Sequence, residues 1–447
     1  QSSTVLQNAF NNWLAANKPA GLPPKPPLVI LCVSGGGSRA AVWACAILEE
    51  LRRQELALRA NRNPHPPGGG LLVDQIRIIT GASGGIVGSA YYTAFSALGG
   101  GIPPKGVQAE IAAWSARNKG AACPELAWAL ARDHLSAVVS TMLLYDLPWT
   151  WVPFRTCIID PTRMPSNWSA WDRGRSLEKA LADNTRPKGK KATSPLESPH
   201  AALAPFEQSA LIPSIIYSPM LVEDARRLLI SNLDLSALCE IDVPYGSGVR
   251  RLSRPAIEFY KIFPEARATF QVCTAARLAA SFPFVSPALF LPTEPKRRVV
   301  DAGYYDNYGV DLAAEWVYHN SQDISTHCSS VLFLETRAYA NEADRQSLFS
   351  SDDGGFIRGL SSPLSAVMTM RERSPWYRND ERLRGMGDLF AERHKAPRFV
   401  VSEYVELDGT APLGWSMTER QRDEIIQSAS TAVSQLLVRL RNVYKWI

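Results

Sequence analysis

The sequence has little that would indicate a metal site or a disulfide framework. Its seven cysteines are odd in number and dispersed, and none of them belongs to a CxxC pair or to a Cys/His ligand spacing. We therefore expect a reduced protein. The sequence implies no metal ion and no organic cofactor.

Long hydrophobic runs are also missing. The longest apolar run, Leu28–Val33, is far shorter than the ~20 residues that a membrane-spanning helix requires. The first residues lack the charged, apolar and small-residue layout of a secretory signal, although a leader or anchor removed before Gln1 stays open. A cytoplasmic or peripheral-membrane location is favoured on these grounds.

Neither sign of charge dominates. The chain has 48 Lys and Arg residues against 43 Asp and Glu residues, which gives a formal net charge of +5. This mild excess disfavours nucleic acid as a partner, yet it is compatible with approach to an anionic membrane surface. The composition, 46% hydrophobic and 20% charged, is typical of a globular protein with a sizeable core. Nothing in it indicates an oligomeric state.

Two units of strand, glycine turn and helix follow a proline-rich lead-in over 1–27. Leu28–Val33 and Gln75–Thr80 have the apolar, β-rich composition of buried strands, and each is followed by glycines and then by apolar residues at helical spacing. This alternation predicts an α/β domain over 28–447, with a mostly parallel central sheet flanked by helices on both faces. Functional residues are then expected at the carboxyl ends of the strands.

Later parts of the chain extend or interrupt this pattern. An inserted helical and loop region, placed like a cap, is predicted at about 99–205, and a C-terminal extension at about 341–447. Thr418 and Gln421 stand in capping-box positions and predict a closing amphipathic helix. Further strands are expected at Leu228–Ser231, Arg298–Asp301, Val331–Glu335 and Arg398–Tyr404.

A GxSxG motif lies between the second strand and its helix, at Gly81-Ala82-Ser83-Gly84-Gly85. Small neighbours permit the strained turn that projects a nucleophilic serine hydroxyl above the sheet. The start of the following helix also favours developing negative charge. Ser83 is therefore the candidate nucleophile.

A glycine loop, Gly35-Gly36-Gly37-Ser38-Arg39, follows the first strand. Consecutive glycines let backbone N–H groups turn toward an oxyanion, and Arg39 could hold the shape of the loop. Together with Ala40, the same residues fit GxGxxA, which is typical of dinucleotide-binding proteins. That reading is disfavoured because no tyrosine is followed by Lys four residues later, as a short-chain dehydrogenase would require.

A third block places Asp301 at the end of a predicted strand, followed by the small residues Ala302 and Gly303. Small residues there allow another loop to approach the carboxylate closely. Asp306 and Asn307 follow and could shape the site, but a tight polar turn is the favoured interpretation.

These blocks, in this order, resemble those of the patatin-like phospholipase family. The resemblance runs from about Leu28 to Val310 and includes Ala280–Phe284, similar to the family's serine and proline block. Two departures are Ala302, where plant members have glycine, and Ala40, where many members have glycine.

The resemblance implies a Ser–Asp dyad without histidine in a three-layer fold. Ser83 would attack the ester and Asp301, shielded from water, would act as base. The oxyanion donors would come from Gly35, Gly36 and Gly37, chiefly the last two. The residues that would support this site are Arg39, Gly81, Gly84, Gly85, Ala302 and Gly303. The implied substrate is a lipid or other acyl ester, with possible contact to a membrane surface.

Two alternatives stay open. An α/β-hydrolase triad would need His319, His327 or His394 as partner of Asp301. A catalytically silent lipid-binding scaffold would keep the fold without the reaction. Six of the twelve tryptophans lie in the inserted region, where they could form a lipid-facing cap or simply pack a subdomain.

Overall fold

The structure of the protein is a computed structural model. It describes residues 27–60, 71–99, 107–118, 123–146, 173–187, 193–245, 248–253, 256–281, 288–338, 378–396, 399–407 and 416–444. Residues 1–26 of the predicted lead-in and residues 339–377 of the C-terminal extension lie outside the described residues.

The described strands group into a five-stranded sheet, a second five-stranded sheet and a two-stranded hairpin. In chain order they are β1 (Leu28–Val33), β2 (Ile76–Gly81), β3 (Ser214–Ile216), β4 (Met220–Leu221), β5 (Arg227–Leu229), β6 (Glu240–Tyr245), β7 (Gly248–Ser253), β8 (Ala256–Glu258), β9 (Leu289–Leu291), β10 (Arg297–Val300), β11 (Val331–Arg337) and β12 (Val400–Glu406).

The described helices surround these sheets. In chain order they are α1 (Gly37–Ala60), α2 (Leu72–Gln75), α3 (Ser83–Leu98), α4 (Val107–Arg117), α5 (Glu125–Leu130), α6 (Leu135–Thr141), α7 (Arg173–Thr185), α8 (Ala204–Gln208), α9 (Ser236–Cys239), α10 (Phe259–Ile262), α11 (Val272–Ala279), α12 (Val310–His319), α13 (Ser321–His327), α14 (378–393) and α15 (Glu419–Arg439). No described helix is both long enough and apolar enough to cross a membrane.

The central sheet has the strand order β12–β11–β1–β2–β3, and every neighbouring pair in it is parallel. The predicted α/β fold with a parallel sheet is therefore confirmed. β1 is fully buried because helices cover both faces, which explains its unbroken apolar sequence. Its side chains alternate between the two halves of the core: Val29, Leu31 and Val33 on one side, and Leu28, Ile30 and Cys32 on the other.

Helices α1 and α3 pack backbone to backbone on one face of the sheet. A β carbon on Gly88 of α3 would lie only 2.1 Å from the carbonyl oxygen of Ala41 in α1. Glycine at this position therefore permits the close approach. Because each helix starts directly after a central strand, this packing fixes the two helix N-termini side by side.

The closing helix α15 begins as predicted. The Thr418 side chain accepts a hydrogen bond from the Gln421 backbone N–H, and the Gln421 side chain accepts one from the Thr418 backbone N–H. The apolar residues of α15 pack into the core beside α1, and Gln54 Nε2 of α1 donates to the Ser430 carbonyl at 2.8 Å.

A second sheet, in the order β8–β5–β4–β10–β9, lies outside the predicted architecture. It is mostly antiparallel, with Val299 opposite Leu221 and Val300 opposite Met220. Of the four later strands predicted, two belong to the central sheet and two, β5 and β10, to this one. A run of three or four apolar residues predicts a strand but not its partner.

The described part of the inserted region packs on the core as α4 to α7. Trp114 and Trp128 are both buried and meet edge to face, with ring centroids 6.0 Å apart. These two tryptophans are therefore packing residues and not part of a lipid-facing surface. The other four in this region, Trp149, Trp151, Trp168 and Trp171, lie outside the described residues.

Candidate active site

The glycine loop and the GxSxG turn meet at one edge of the central sheet. β1 and β2 are parallel neighbours, so the residues after Val33 and after Gly81 emerge together. A β carbon on Gly84 would lie 1.7 Å from the Gly37 carbonyl oxygen, and one on Gly85 2.3 Å from the Ser34 carbonyl oxygen. The two loops are thus in direct backbone contact, which requires glycine on the Ser83 side.

Ser83 has the backbone of a nucleophile elbow. It is the first residue of α3, it is buried, and its φ of 49° lies in the left-handed region, which costs a residue other than glycine about 1–3 kcal/mol. The preceding residue, Ala82, is extended, and its N–H donates to the Val33 carbonyl at 3.2 Å. The strained turn therefore places the Ser83 side chain at a helix N-terminus, where partial positive charge collects.

The three glycines of the first loop differ in the hydrogen bonding of their N–H groups. The Gly35 N–H donates to the Asn307 carbonyl at 2.9 Å, so it is already used. Within the described part of the chain, no acceptor bonds the N–H of Gly36 or Gly37. Gly37 has φ 61° and begins α1, and Arg39 is buried in the first turn of that helix.

Asp301 follows β10 directly and is fully buried. Its Oδ1 accepts a hydrogen bond from the Gly303 N–H at 2.7 Å, and its own N–H donates to the Ser281 carbonyl at 3.2 Å. Ala302 is buried beside it and starts a short 3₁₀ turn, Ala302–Tyr304. The carboxylate is thereby oriented by the backbone of its own loop.

The loop after β10 also contacts the GxSxG turn. Thr80 Oγ1, in the residue before Gly81, donates to the Gly309 carbonyl at 2.8 Å. Gly309 has φ 75°, and a β carbon on it would lie 2.4 Å from the Gly81 nitrogen. The loop that follows β10 therefore lies against both the glycine loop and the GxSxG turn, which are far from it along the chain.

The acidic side chain of Asp306 shapes this loop. It accepts hydrogen bonds from the backbone N–H groups of Tyr308, Gly309 and Leu312 at 3.2, 2.8 and 3.2 Å. Burial raises the pKa of the Asp306 carboxyl above its usual range, while these N–H groups and the charge of Arg227 act in the opposite direction. Asp306 thus forms the tight turn that the sequence predicts.

A buried ionic cluster behind the loop was not predicted. Arg227 is fully buried, pairs with Glu315 at 2.6 Å and with Asp311 at 3.4 Å, and stacks over the Tyr305 ring at 4.7 Å. Arg382 of α14 pairs with the same two carboxylates. The sequence held no local signal for this cluster, because its members come from β5, α12 and α14.

Two of the three histidines considered for a triad have contacts of their own. His394 Nδ1 lies 3.2 Å from Ser325 Oγ, and His327 Nδ1 donates to the Asp323 carbonyl at 2.8 Å. Neither of these contacts involves Ser83 or Asp301. Within the described residues, no group of three or more His, Cys, Asp or Glu side chains is arranged to hold a metal ion.

Comparison with known proteins identifies the family. A family model described as Patatin-like phospholipase matches residues 31–314, which is more than half of the chain. The chain therefore belongs to the patatin-like phospholipase family, and this membership supports a lipid acyl hydrolase. No curated protein matches the sequence.

Two solved structures are similar to this chain at low sequence identity. VipD from Legionella pneumophila is 14% identical with a TM-score of 0.31, and the match covers 93% of this chain and 67% of VipD. Human GIVD cytosolic phospholipase A2 is 12% identical with a TM-score of 0.42, and the match covers 100% of this chain and 67% of that protein.

Proposed function

We propose that the protein is a serine acyl hydrolase that cleaves carboxylic esters of lipids. Ser83 is the nucleophile, Asp301 the general base, and the N–H groups of Gly36 and Gly37 are the oxyanion donors. The observation that carries the proposal is the left-handed backbone of Ser83, a buried serine held against a glycine loop at a helix N-terminus.

The reaction follows from these roles. Asp301 accepts the Ser83 proton as Oγ adds to the ester carbonyl carbon, and the negative charge that forms on the carbonyl oxygen is held by the two N–H groups. When the tetrahedral intermediate collapses, the leaving alcohol takes the proton from Asp301. Water then adds to the acyl-enzyme in the same way, with Asp301 as base, and the acid leaves as Ser83 regains its proton.

The burial of Asp301 supports its role as base. A carboxylate in water is a weak base toward an alcohol, whereas exclusion of water strengthens both its basicity and the oxyanion contacts. Asp301 is fully buried, and so is Ala302 next to it.

Membership of the family supports a lipid as the substrate. We place phospholipids and lysophospholipids first among candidate esters. The mild positive charge of the chain is compatible with approach to an anionic lipid surface.

The test compares wild type, Ser83→Ala and Asp301→Asn on short p-nitrophenyl esters and on phospholipid vesicles. Ser89→Ala is the matched control, because Ser89 is also buried in α3 but its Oγ donates to the Gly85 carbonyl. We expect both site variants to lose at least ~10³-fold in kcat and the control to keep wild-type activity. Equal hydrolysis by all four proteins would end the proposal.

Two further measurements separate the alternatives. Labelling of Ser83 by a fluorophosphonate probe is expected here and would be absent from a silent scaffold. A near-total loss of turnover on replacing His319, His327 or His394 singly would instead support a triad. Activity on p-nitrophenyl esters without activity on vesicles would move the substrate away from membranes.

A further inference from the structure

Asn307 places an amide in the space between the glycine loop and the nucleophile. A β carbon built on Gly35 would lie 2.3 Å from Asn307 Oδ1 and 3.2 Å from Ser83 Cβ. The amide, the Gly35 Cα and the Ser83 side chain therefore border one small volume. Only a glycine at position 35 leaves room for the amide there.

The amide is buried and carries no hydrogen bond. Asn307 is 1% exposed, and within the described residues neither its Oδ1 nor its Nδ2 has a hydrogen-bond partner. A buried amide without a protein hydrogen-bond partner is unfavourable, and native proteins keep few of them. We therefore expect the hydrogen-bond partner of this amide to be part of the bound substrate.

A turn-forming role does not account for this side chain. An Asn that shapes a turn uses its side-chain oxygen to accept from nearby backbone N–H groups. In this loop the Asp306 carboxylate does so, accepting from Tyr308, Gly309 and Leu312. Asn307 contributes its backbone carbonyl, which accepts from the Gly35 N–H. Hydrogen bonds of the Asp306 carboxylate and of the Asn307 carbonyl therefore hold the backbone of this loop, and the Asn307 side-chain amide is not needed for that purpose.

We infer that Asn307 is a catalytic residue: its amide turns about the Cβ–Cγ bond, so that Nδ2–H takes the place of Oδ1 beside Gly35 and Ser83 and donates a hydrogen bond to the oxyanion, the former carbonyl oxygen of the acyl group on Ser83. It would act beside the N–H groups of Gly36 and Gly37, and the inference rests on the proposed Ser83 chemistry. A neutral amide suits this place because a carboxylate would repel the developing negative charge. No proton is transferred: the amide stabilises the tetrahedral intermediate and is released when that intermediate collapses.

The inference predicts opposite effects on activity and on stability. In Asn307→Leu, an apolar side chain of similar size replaces the unpaired amide, so the melting temperature should equal or exceed that of wild type. kcat and kcat/KM should fall together, at least tenfold and up to the roughly 10²–10³-fold that follows loss of an oxyanion donor. Fluorophosphonate labelling of Ser83 should slow by a similar factor, because the phosphonyl oxygen occupies the same place.

Asn379→Leu is the matched control. Asn379 is also a buried asparagine whose Nδ2 has no partner within the described residues, but it lies on α14. We expect this variant to keep wild-type kcat. Asn307→Ala provides a second test if the Leu variant does not fold.

Several results would overturn the inference. One is a folded Asn307→Leu or Asn307→Ala variant with kcat within twofold of wild type. Another is an equal loss of kcat in Asn379→Leu, or a loss of kcat in Asn307→Leu that is matched by a fall in melting temperature. Full activity of Ser83→Ala would overturn the proposed function together with this inference. An inactive Ser83→Ala combined with a fully active Asn307→Leu would overturn this inference alone.

Discussion

The Gly35 N–H donates a 2.9 Å hydrogen bond to the Asn307 carbonyl, and this bond joins the loop after β1 to the loop after β10. Through it, the backbone that carries the proposed oxyanion donors is held against the loop that carries Asp301. The bond also occupies the Gly35 N–H, so the proposed oxyanion role falls to the N–H groups of Gly36 and Gly37. Because Asn307 lies so close to Gly35, any side chain added at position 35 would disturb this contact between the two loops.

Gly35→Ala is expected to lower kcat by at least ~100-fold. The new methyl group would lie 2.3 Å from Asn307 Oδ1, so the loop must shift, and displacements of about 1 Å at an active site cost this much. The overpacking should also cost about 1–3 kcal/mol of unfolding free energy. Steady-state kinetics and urea unfolding would measure the two effects.

The double variant Gly35→Ala/Asn307→Ala tests the cause of this loss. Removing the amide relieves the contact, so the double variant should be more stable than additivity of the two single changes predicts. Gly385→Ala is the control, since nothing lies within 4 Å of a β carbon built there. A Gly35→Ala enzyme with wild-type kcat would show that the loop tolerates the methyl group.

The parts of the fold that depend on local sequence could be predicted. β1 and β2 were recognisable because burial on both faces demands an unbroken apolar run, and Thr418 with Gln421 marked the start of α15. The placement of Ser83 at a strained turn followed from its small neighbours. Each of these signals lies within a few residues of the feature it predicts.

The parts that depend on pairing across the chain could not be predicted. Residue types near Asp301 indicated a strand, but its antiparallel partner β4 is set by tertiary packing. The sequence also could not show that the Asp306 side chain forms the turn whereas the Asn307 side chain does not. Adjacent polar residues in a turn look equivalent in sequence. Arg227 appeared as one cation among many, and only its burial distinguishes it.

Arg227→Met should cost about 3 kcal/mol of unfolding free energy, and Arg382→Met no more than about 1 kcal/mol. Arg227 is fully buried, and its removal takes one cation from Asp311 and Glu315. Arg382 is 42% exposed, so water screens its pairs with the same carboxylates. Chemical denaturation of the two variants provides the comparison. Equal losses of unfolding free energy would contradict the prediction that the buried arginine contributes more than the exposed one.

Gly88→Ala should destabilise the protein by about 3 kcal/mol without touching the proposed catalytic groups. Its methyl group would lie 2.1 Å from the Ala41 carbonyl oxygen, and neither helix backbone can move independently of the sheet. Gly387→Ala is the control: a β carbon there meets open space in α14, so the change should stabilise by about 0.5–1 kcal/mol. If both variants lose stability, alanine is unfavourable at helical glycines of this protein in general, and the loss at Gly88 cannot be assigned to the contact between α1 and α3.

Glu49 should make stability depend on pH near neutrality. Its carboxylate accepts from the backbone N–H groups of Leu126 and Ala127 at 3.0 and 2.8 Å, which joins α1 to the start of α5. Burial nevertheless raises the pKa of Glu49 from 4.5 to about 7, because desolvation outweighs these two bonds. A raised acid pKa means that the folded state binds the proton more tightly than the unfolded state does. The stability from this group is therefore complete below about pH 4.5 and is lost as the pH rises to about 7.

Glu49→Gln isolates this contribution. Glutamine keeps an acceptor for the α5 backbone but does not titrate, so the unfolding free energy of wild type minus that of the variant should fall by at least about 1 kcal/mol between pH 4.5 and 7.5. The buried histidines His134 and His200, whose pKa values burial lowers to about 4, are present in both proteins and cancel in the difference. Urea unfolding at five or six pH values would provide the curve. If the two proteins keep a constant difference over this range, Glu49 does not titrate there and its carboxylate stays charged when folded.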